Sequence, residues 1–264
     1  MNSKNFVFFG TDEVAKRGLA ELRAVGLDPV LVVDRKIDQE IEARIRELKC
    51  DFAILISYGK IVPSRIIELF PKGILNIHPS MLPKLRGPSP IKSAILENYP
   101  TTGVSIMLLD REMDHGPILA QREIGLSPQV ATDQELGDEL LKTGALMLGE
   151  ILENYLSGKT EPREQNHDLA SFSRKFNAED GLIEKSLILG QSRQDDVALA
   201  ERKVRALNPE PGTYCLLDTD RGQKRLKILE ATVADGKLLP ILVQPAGKKP
   251  MDWDSFLRGN RLLT

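Results

Sequence analysis

Within the first 80 residues, short apolar runs alternate with stretches of helical periodicity, and this alternation constrains the fold more than any other feature. The runs are Phe6–Phe9, closed by Gly10, then 29–34 (PVLVVD), 51–57 (DFAILIS) and 73–77 (GILNI). They are rich in β-branched residues and apolar at consecutive positions, as strands buried on both faces must be. Between them, residues 12–25 read as a helix. Ile37, Ile41, Ile45 and Leu48 then recur at helical spacing with charges between, which gives one apolar stripe for a core. Such an order implies an α/β fold, a Rossmann-like parallel sheet with helices over both faces. Ser89 can cap a helix that starts at Pro90 and turns Ile91, Ala94 and Ile95 inward.

Beyond residue 100 the pattern changes. Residues 104–109 and 118–124 read as strands joined by the polar turn DREMDHGP, and a long helix follows at about 132–156. Residues 157–175 are polar and poorly periodic, the signature of a linker. A helix at about 192–206 then precedes β-rich pieces, TYCLLD, RLKILEATV and LLPILVQPAG. The expected division is a catalytic domain at 1–157, a linker at 158–175 and a small β-rich domain at 176–264.

Composition narrows the function classes. The net charge of −2 rules out a global basic field, though not a local patch. Cys50 and Cys215 stand far apart in no metal or redox spacing, which suits buried thiols in a reducing compartment. The N-terminal apolar run is too short for a signal peptide, and no stretch approaches the roughly 20 apolar residues of a membrane span. A cytoplasmic protein without membrane contact is expected, acting as a monomer. Gly10 is followed by Thr11, Asp12 and Glu13, so the dinucleotide and phosphate-loop fingerprints are absent. Three scattered histidines and no cysteine cluster imply no metal.

The candidate chemistry lies in ILNIHPSMLPKLRGPSP, residues 74–90. Ligands of open parallel sheets bind beyond the carboxyl ends of strands, where Asn76 and His78 fall. Side chains two residues apart on a strand share a face, so an amide and an imidazole project together. The pair alone leaves two readings open: mutual satisfaction within a core, or chemistry. The turn at 110–116 adds Asp110, Glu112 and Asp114. A carboxylate beside an Asn–His pair makes a coherent acyl-transfer set. The amide donates to a developing oxyanion, a protonated imidazole does the same, and the carboxylate takes a proton from an attacking amine. Neither cysteine has a base beside it in sequence, so covalent catalysis has no candidate.

These residues resemble the formyltransferases that use 10-formyltetrahydrofolate, whose pattern is Asn-x-His-x-Ser-Leu-Leu-Pro, then Arg-Gly, then Leu-Asp-x-Gly. Here Asn76, His78, Ser80, Met81, Leu82 and Pro83 are followed by Arg86-Gly87 and by Met113-Asp114-His115-Gly116. Met81 and Met113 are mild departures. The resemblance implies Asn76, His78 and Asp114 as catalytic residues, a folate-contacting loop of Ser80, Met81, Leu82 and Pro83, and 10-formyltetrahydrofolate as formyl donor. The stretches FFGTDEVA, ISYGKIVP, VRALNPEPGTY and QPAGKKPMDWDSFLRGNRL are similar to methionyl-tRNA formyltransferases. There a small barrel of oligonucleotide-binding (OB) type follows the catalytic domain, and the acceptor is methionyl-tRNA for translation initiation. One departure stands out. That family carries a long basic loop after the second strand, placed at the tRNA acceptor end, and then a further helix and strand. Here Asp34-Arg35-Lys36 leads directly into the Ile37–Leu48 stripe.

The expected function is formyl transfer to methionyl-tRNA; the alternatives are formyl transfer to a small amine such as an amino sugar or nucleotide precursor, and a non-catalytic tRNA- or folate-binding paralogue. Lys84, Arg86 and Lys92, and a second set of Lys224, Arg225, Lys227, Lys248 and Lys249, are either solvated charge or phosphate contacts. Trp253 and Phe256 are expected in a core rather than stacked on bases.

Overall fold

The structure is a computed structural model that describes residues 5–126, 132–190 and 193–263. The first half runs β1 (Phe6–Phe9), α1 (Glu13–Ala24), β2 (Leu31–Val33), α2 (Gln39–Leu48), β3 (Phe52–Leu55), α3 (Ser64–Ile67), β4 (Ile74–His78) and α4 (Pro90–Leu96). Then come β5 (Thr101–Leu108), β6 (Ile118–Gly125) and α5 (Asp133–Leu156). Two compact units emerge. The first comprises described residues of 5–91, 100–126 and 134–174; the second holds 92–99, 132–133, 175–190 and 193–263.

In the first unit six strands form one sheet in the order β2-β1-β3-β4-β5-β6. β1 to β4 are parallel, as the alternation requires, whereas β4–β5 and β5–β6 pair antiparallel. The turn at 110–117 is a hairpin connection, too short for a parallel crossover. Every residue of β1, β3 and β4 is buried because helices cover both faces. One face packs Val7, Phe9, Ala53, Leu55 and Ile74 with Ile45 of α2 and with Tyr58 and Phe70. On the other, α5 comes so close at Gly144 that a Cβ there would lie 2.5 Å from Ile77. Asp12 and Asp38 cap α1 and α2 by accepting from the amides of Ala15 and Ile41. Among the described residues the order ends at β2. This is the place where the resemblance implied a further helix and strand.

Of residues 158–175, expected as a linker, 158–174 belong to the first unit. Arg163 exchanges two backbone hydrogen bonds with Ile118, Ser171 N–H donates to Pro83 O, and Ser173 N–H donates to Arg86 O. The segment is polar and aperiodic because it pairs irregularly with other backbone, not because it is free.

The second unit contains α6 (Lys185–Leu189), α7 (Gln194–Leu207), β7 (Tyr214–Thr219), β8 (Gly222–Ala234), β9 (Lys237–Pro245), β10 (Met251–Asp252) and α8 (Trp253–Gly259). Residue 192, where a helix was expected to begin, lies outside the described residues. The four strands make an antiparallel meander, β10-β9-β8-β7. This is the expected small β domain, one strand short of the five of an OB barrel. Register shifts at Ile228–Ala231 mark irregular pairing along β8, the device by which long strands twist and bend. Its core holds Val204, Cys215, Leu226, Val243, Trp253 and Phe256, so the two aromatic residues are core residues, stacked at 5.5 Å. The NPEPG stretch has a structural task. Asn208 Nδ2 donates to Val204 O and Ile228 O while its Oδ1 accepts from Thr213 N, tying α7 to β8. Burial pushes the Cys215 thiol up to about 12, far from the thiolate a nucleophile needs. Among the described residues no helix is long and apolar enough to cross a membrane, and no group of three or more His, Cys, Asp or Glu could hold a metal ion.

Candidate active site

Asn76 and His78 end β4, on the face that also carries Ile74, and both are buried at 6% and 5% exposure. Across the sheet edge, the β5–β6 connection brings Asp114 onto them at a left-handed φ of 50°, a conformation that Asp tolerates better than most residues. Two close approaches shape this connection. A Cβ on Gly116 would stand 2.0 Å from Leu108 O, and one on Gly87, at φ 107°, would stand 2.9 Å from Ser173 O. Both positions require glycine.

Asp114 is the hub. Its Oδ1 accepts from Asn76 Nδ2 at 3.3 Å and faces His78 Nδ1 at 3.5 Å, while its Oδ2 accepts from Gly87 N–H at 2.7 Å. His78 Nε2 lies 3.1 Å from Leu85 O. A carbonyl only accepts, so Nε2 carries a hydrogen. A neutral ring then turns its Nδ1 lone pair toward a carboxylate oxygen, an arrangement open to one further proton between them. Both ring nitrogens thus face acceptors inside the protein. Asn76 Nδ2 uses one hydrogen on Asp114 and makes no other hydrogen bond among the described residues, which leaves its second N–H for a ligand.

The loop at 80–83 divides by side chain. Ser80 Oγ donates to Lys84 O at 2.7 Å, and Ser80 O accepts from Ser105 Oγ at 2.7 Å. Leu82 N–H donates to that same Ser105 Oγ, and Leu82 O accepts from Gln121 Nε2 at 2.8 Å. Leu82 packs with Met107 and Ile118. Ser80 and Leu82 therefore hold the loop from within, whereas Met81 and Pro83 are half-buried. Met81 lies against Gly103, where a Cβ would meet its Sδ at 2.5 Å.

Several residues around the hub escaped sequence reasoning. Arg86, grouped among possible phosphate contacts, is only 4% exposed. It donates from Nε and Nη2 to Gln165 Oε1 at 3.2 and 2.7 Å, and from Nη2 to His167 Nδ1 at 2.8 Å. Gln165 Nε2 donates to the backbone oxygens of Asp114 and Gly116 at 2.9 and 2.7 Å. His167 stacks on His115 at 4.0 Å, and His115 Nδ1 lies 2.7 Å from Asp110 Oδ2. The only signal in sequence was that two polar residues of a supposed linker, Gln165 and His167, carry chemistry-bearing side chains. Lys92 pairs with Asp133, so of the three basic residues flanking the motif Lys84 alone is exposed. Arg225 lies 3.8 Å over the Tyr214 ring.

Residues 14–152, more than half of the chain, match the family described as formyl transferase. Over 256 residues the chain is 37% identical to the methionyl-tRNA formyltransferase of Chloroflexus aurantiacus, covering 88% of this chain and 78% of that one. The chain belongs to the methionyl-tRNA formyltransferase family. Its fold is also that of the methionyl-tRNA formyltransferase from Clostridium thermocellum, with a TM-score of 0.65 at 18% identity over 91% of this chain and 98% of that one. HypX from Aquifex aeolicus, solved in complex with tetrahydrofolic acid, gives a TM-score of 0.69 at 18% identity over 96% of this chain and 46% of that one.

Proposed function

We propose that this family member transfers the formyl group of 10-formyltetrahydrofolate to the α-amino group of methionyl-tRNA, with Asn76, His78 and Asp114 as its catalytic residues. The observation that carries this reading is the shared Asp114 Oδ1, which contacts both the Asn76 amide and the His78 ring toward the carboxyl end of β4. Asn76 offers its second Nδ2–H to the oxygen of the formyl group as the amine nitrogen bonds to the formyl carbon and negative charge grows there. Asp114 and His78 Nδ1 together take the proton that the attacking amine loses. They return it to N10 of the folate as the carbon–N10 bond breaks. Donor and acceptor thus exchange one formyl group for one hydrogen, and the enzyme ends as it began. The formyl-donor fit rests on the loop at 80–83, where Met81 and Pro83 stay half-buried while Ser80 and Leu82 anchor it. A folate in complex with the fold-neighbour HypX supports the same donor class.

A second reading, transfer to a small amine, draws support from one feature: β2 is the sheet edge, and residues 34–38 alone separate it from α2. The assay compares formylation of charged initiator methionyl-tRNA with that of free amines, amino sugars included. Turnover on methionyl-tRNA is the expected result. Turnover confined to small amines would overturn it.

A further inference from the structure

Gln165 lies in the segment whose composition suggested a linker, yet it is 5% exposed and makes four hydrogen bonds around the hub. Chemistry fixes its amide orientation. A guanidinium only donates, so the Arg86 side faces Oε1; backbone carbonyls only accept, so the Asp114 and Gly116 side faces Nε2. Arg86 itself is a buried cation with no carboxylate within ion-pair distance among the described residues. Its charge is met by an amide oxygen and an imidazole lone pair. Stability alone gives no reason for this, since apolar side chains of similar volume often do as well or better than buried charge. The guanidinium does supply a rigid planar fork, which a point charge cannot. The same dipeptide also reaches the other end of Asp114, because Gly87 N–H holds its Oδ2. Arg86-Gly87 therefore holds the hub residue twice: its carboxylate directly, and its backbone through Gln165. The backbone held this way includes the left-handed residue itself.

We propose that Gln165, braced by Arg86, is a positioning residue for formyl transfer: it fixes the Asp114–Gly116 backbone and so aims the Asp114 carboxylate at Asn76 and His78. The inference rests on the reading of Asp114 as the proton acceptor. It predicts an effect on turnover and not on folate binding, because misplacement of a reacting group by about 1 Å can cost on the order of 100-fold in rate.

The test is Gln165→Glu. Glutamate keeps the shape and gains an ion pair with Arg86, but it loses both donors and sets an acceptor against two carbonyl oxygens. The expected result is a kcat lower by about 10- to 100-fold, with KM for 10-formyltetrahydrofolate within about threefold and Tm unchanged or higher. Arg86→Lys removes the fork and keeps the charge; it is read by the same three measurements and decides the matter should Gln165→Glu fail to fold. Parental kcat in the folded variant would overturn the inference. So would a loss of kcat accompanied by a lower Tm and lost folate binding, which is the mark of a merely structural residue. Asp114→Asn is run alongside. If it keeps full turnover, the site assignment itself fails; if it is inactive while Gln165→Glu is unimpaired, only the positioning role fails.

Discussion

At the carboxyl end of β4, buried side chains are polar. Asn76, His78, Ser80, Ser105, Arg86 and Gln165 are almost fully buried, and each has a hydrogen-bond partner from another segment. At the opposite edge of the same sheet, β2 is three residues long, Val30 and Val32 are exposed, and α2 begins almost at once. β1 and β3 stand between the two regions as strands buried on both faces. The contrast teaches how one edge of the sheet can be abbreviated while the proposed centre stays assembled. Among the described residues, the polar residues of the centre are satisfied by β4, β5, β6, their loops and the 163–173 segment, and by nothing from β2.

The largest expected effect lies at the buried end. Asn76→Ala removes the free donor, which typically costs about 10²–10³ in kcat, and His78→Ala and Asp114→Asn should cost at least as much by removing the proton's resting place. Tetrahydrofolate affinity, measured by calorimetry, should change by no more than a few fold if these groups act in the transition state as proposed. Near-full turnover in all three would make the centre an ordinary buried polar cluster.

A smaller effect is expected at exposed cations. Lys248 and Lys249 are exposed, whereas Arg225 is drawn onto Tyr214. If the two lysines meet phosphates, reversing both to Glu should weaken tRNA binding by roughly tenfold at low salt and lower the salt slope by about 1–2. Folate binding should not move. An unchanged slope would return them to solvated surface.

Stability offers a milder test of the same contrast. Ile54 of β3 is fully buried, so Ile54→Val should cost about 0.5–1.5 kcal/mol. Val32→Ala at the exposed edge should cost within about 0.5 kcal/mol, both read from denaturant midpoints. A larger loss at Val32 than at Ile54 would mean that the edge is covered in solution.

What was legible in the sequence follows the range of the interactions. The parallel strands and their helices announce themselves locally, because a doubly buried strand must be apolar and a covering helix must carry a stripe. Asn76, His78 and Asp114, which the fold brings together, stood out because fixed spacing surrounds each of them. The antiparallel pairing of β5 with β4 was not legible, since a buried strand reached through a helix looks alike whichever way it pairs. Nor was the 158–174 segment: Gln165 and Ser171 bond to backbone from residues far away in sequence, and a residue chosen for such partners leaves no periodicity behind. Arg86 misled for a related reason. Composition shows a cation beside a basic motif, while its burial depends on an amide 79 residues downstream.

The smallest expected effect is a ratio close to one. Discriminating initiator from elongator methionyl-tRNA takes contacts that differ between right and wrong acceptor ends. The resemblance places the loop that supplies them after the second strand, and here residues 34–38 fill that place. Arg35 is turned back on Asp38 and Glu40, at 3.5 and 3.6 Å, which leaves Lys36 as the exposed cation of the segment with no such partner among the described residues. A single ammonium can meet a phosphate but cannot read an acceptor end, because a phosphate contact carries no sequence information. The two methionyl-tRNAs should therefore differ in kcat/KM by less than about tenfold, with recognition falling to the charged methionine or to the loop that exposes Lys84. The ratio is the quantity to measure, since activity on either tRNA alone says nothing of specificity. A ratio near 10³, about 4 kcal/mol of differential transition-state binding, would break the comparison. It would mean that another segment performs the missing loop's task, and charge reversal at Lys84 would be the first place to look.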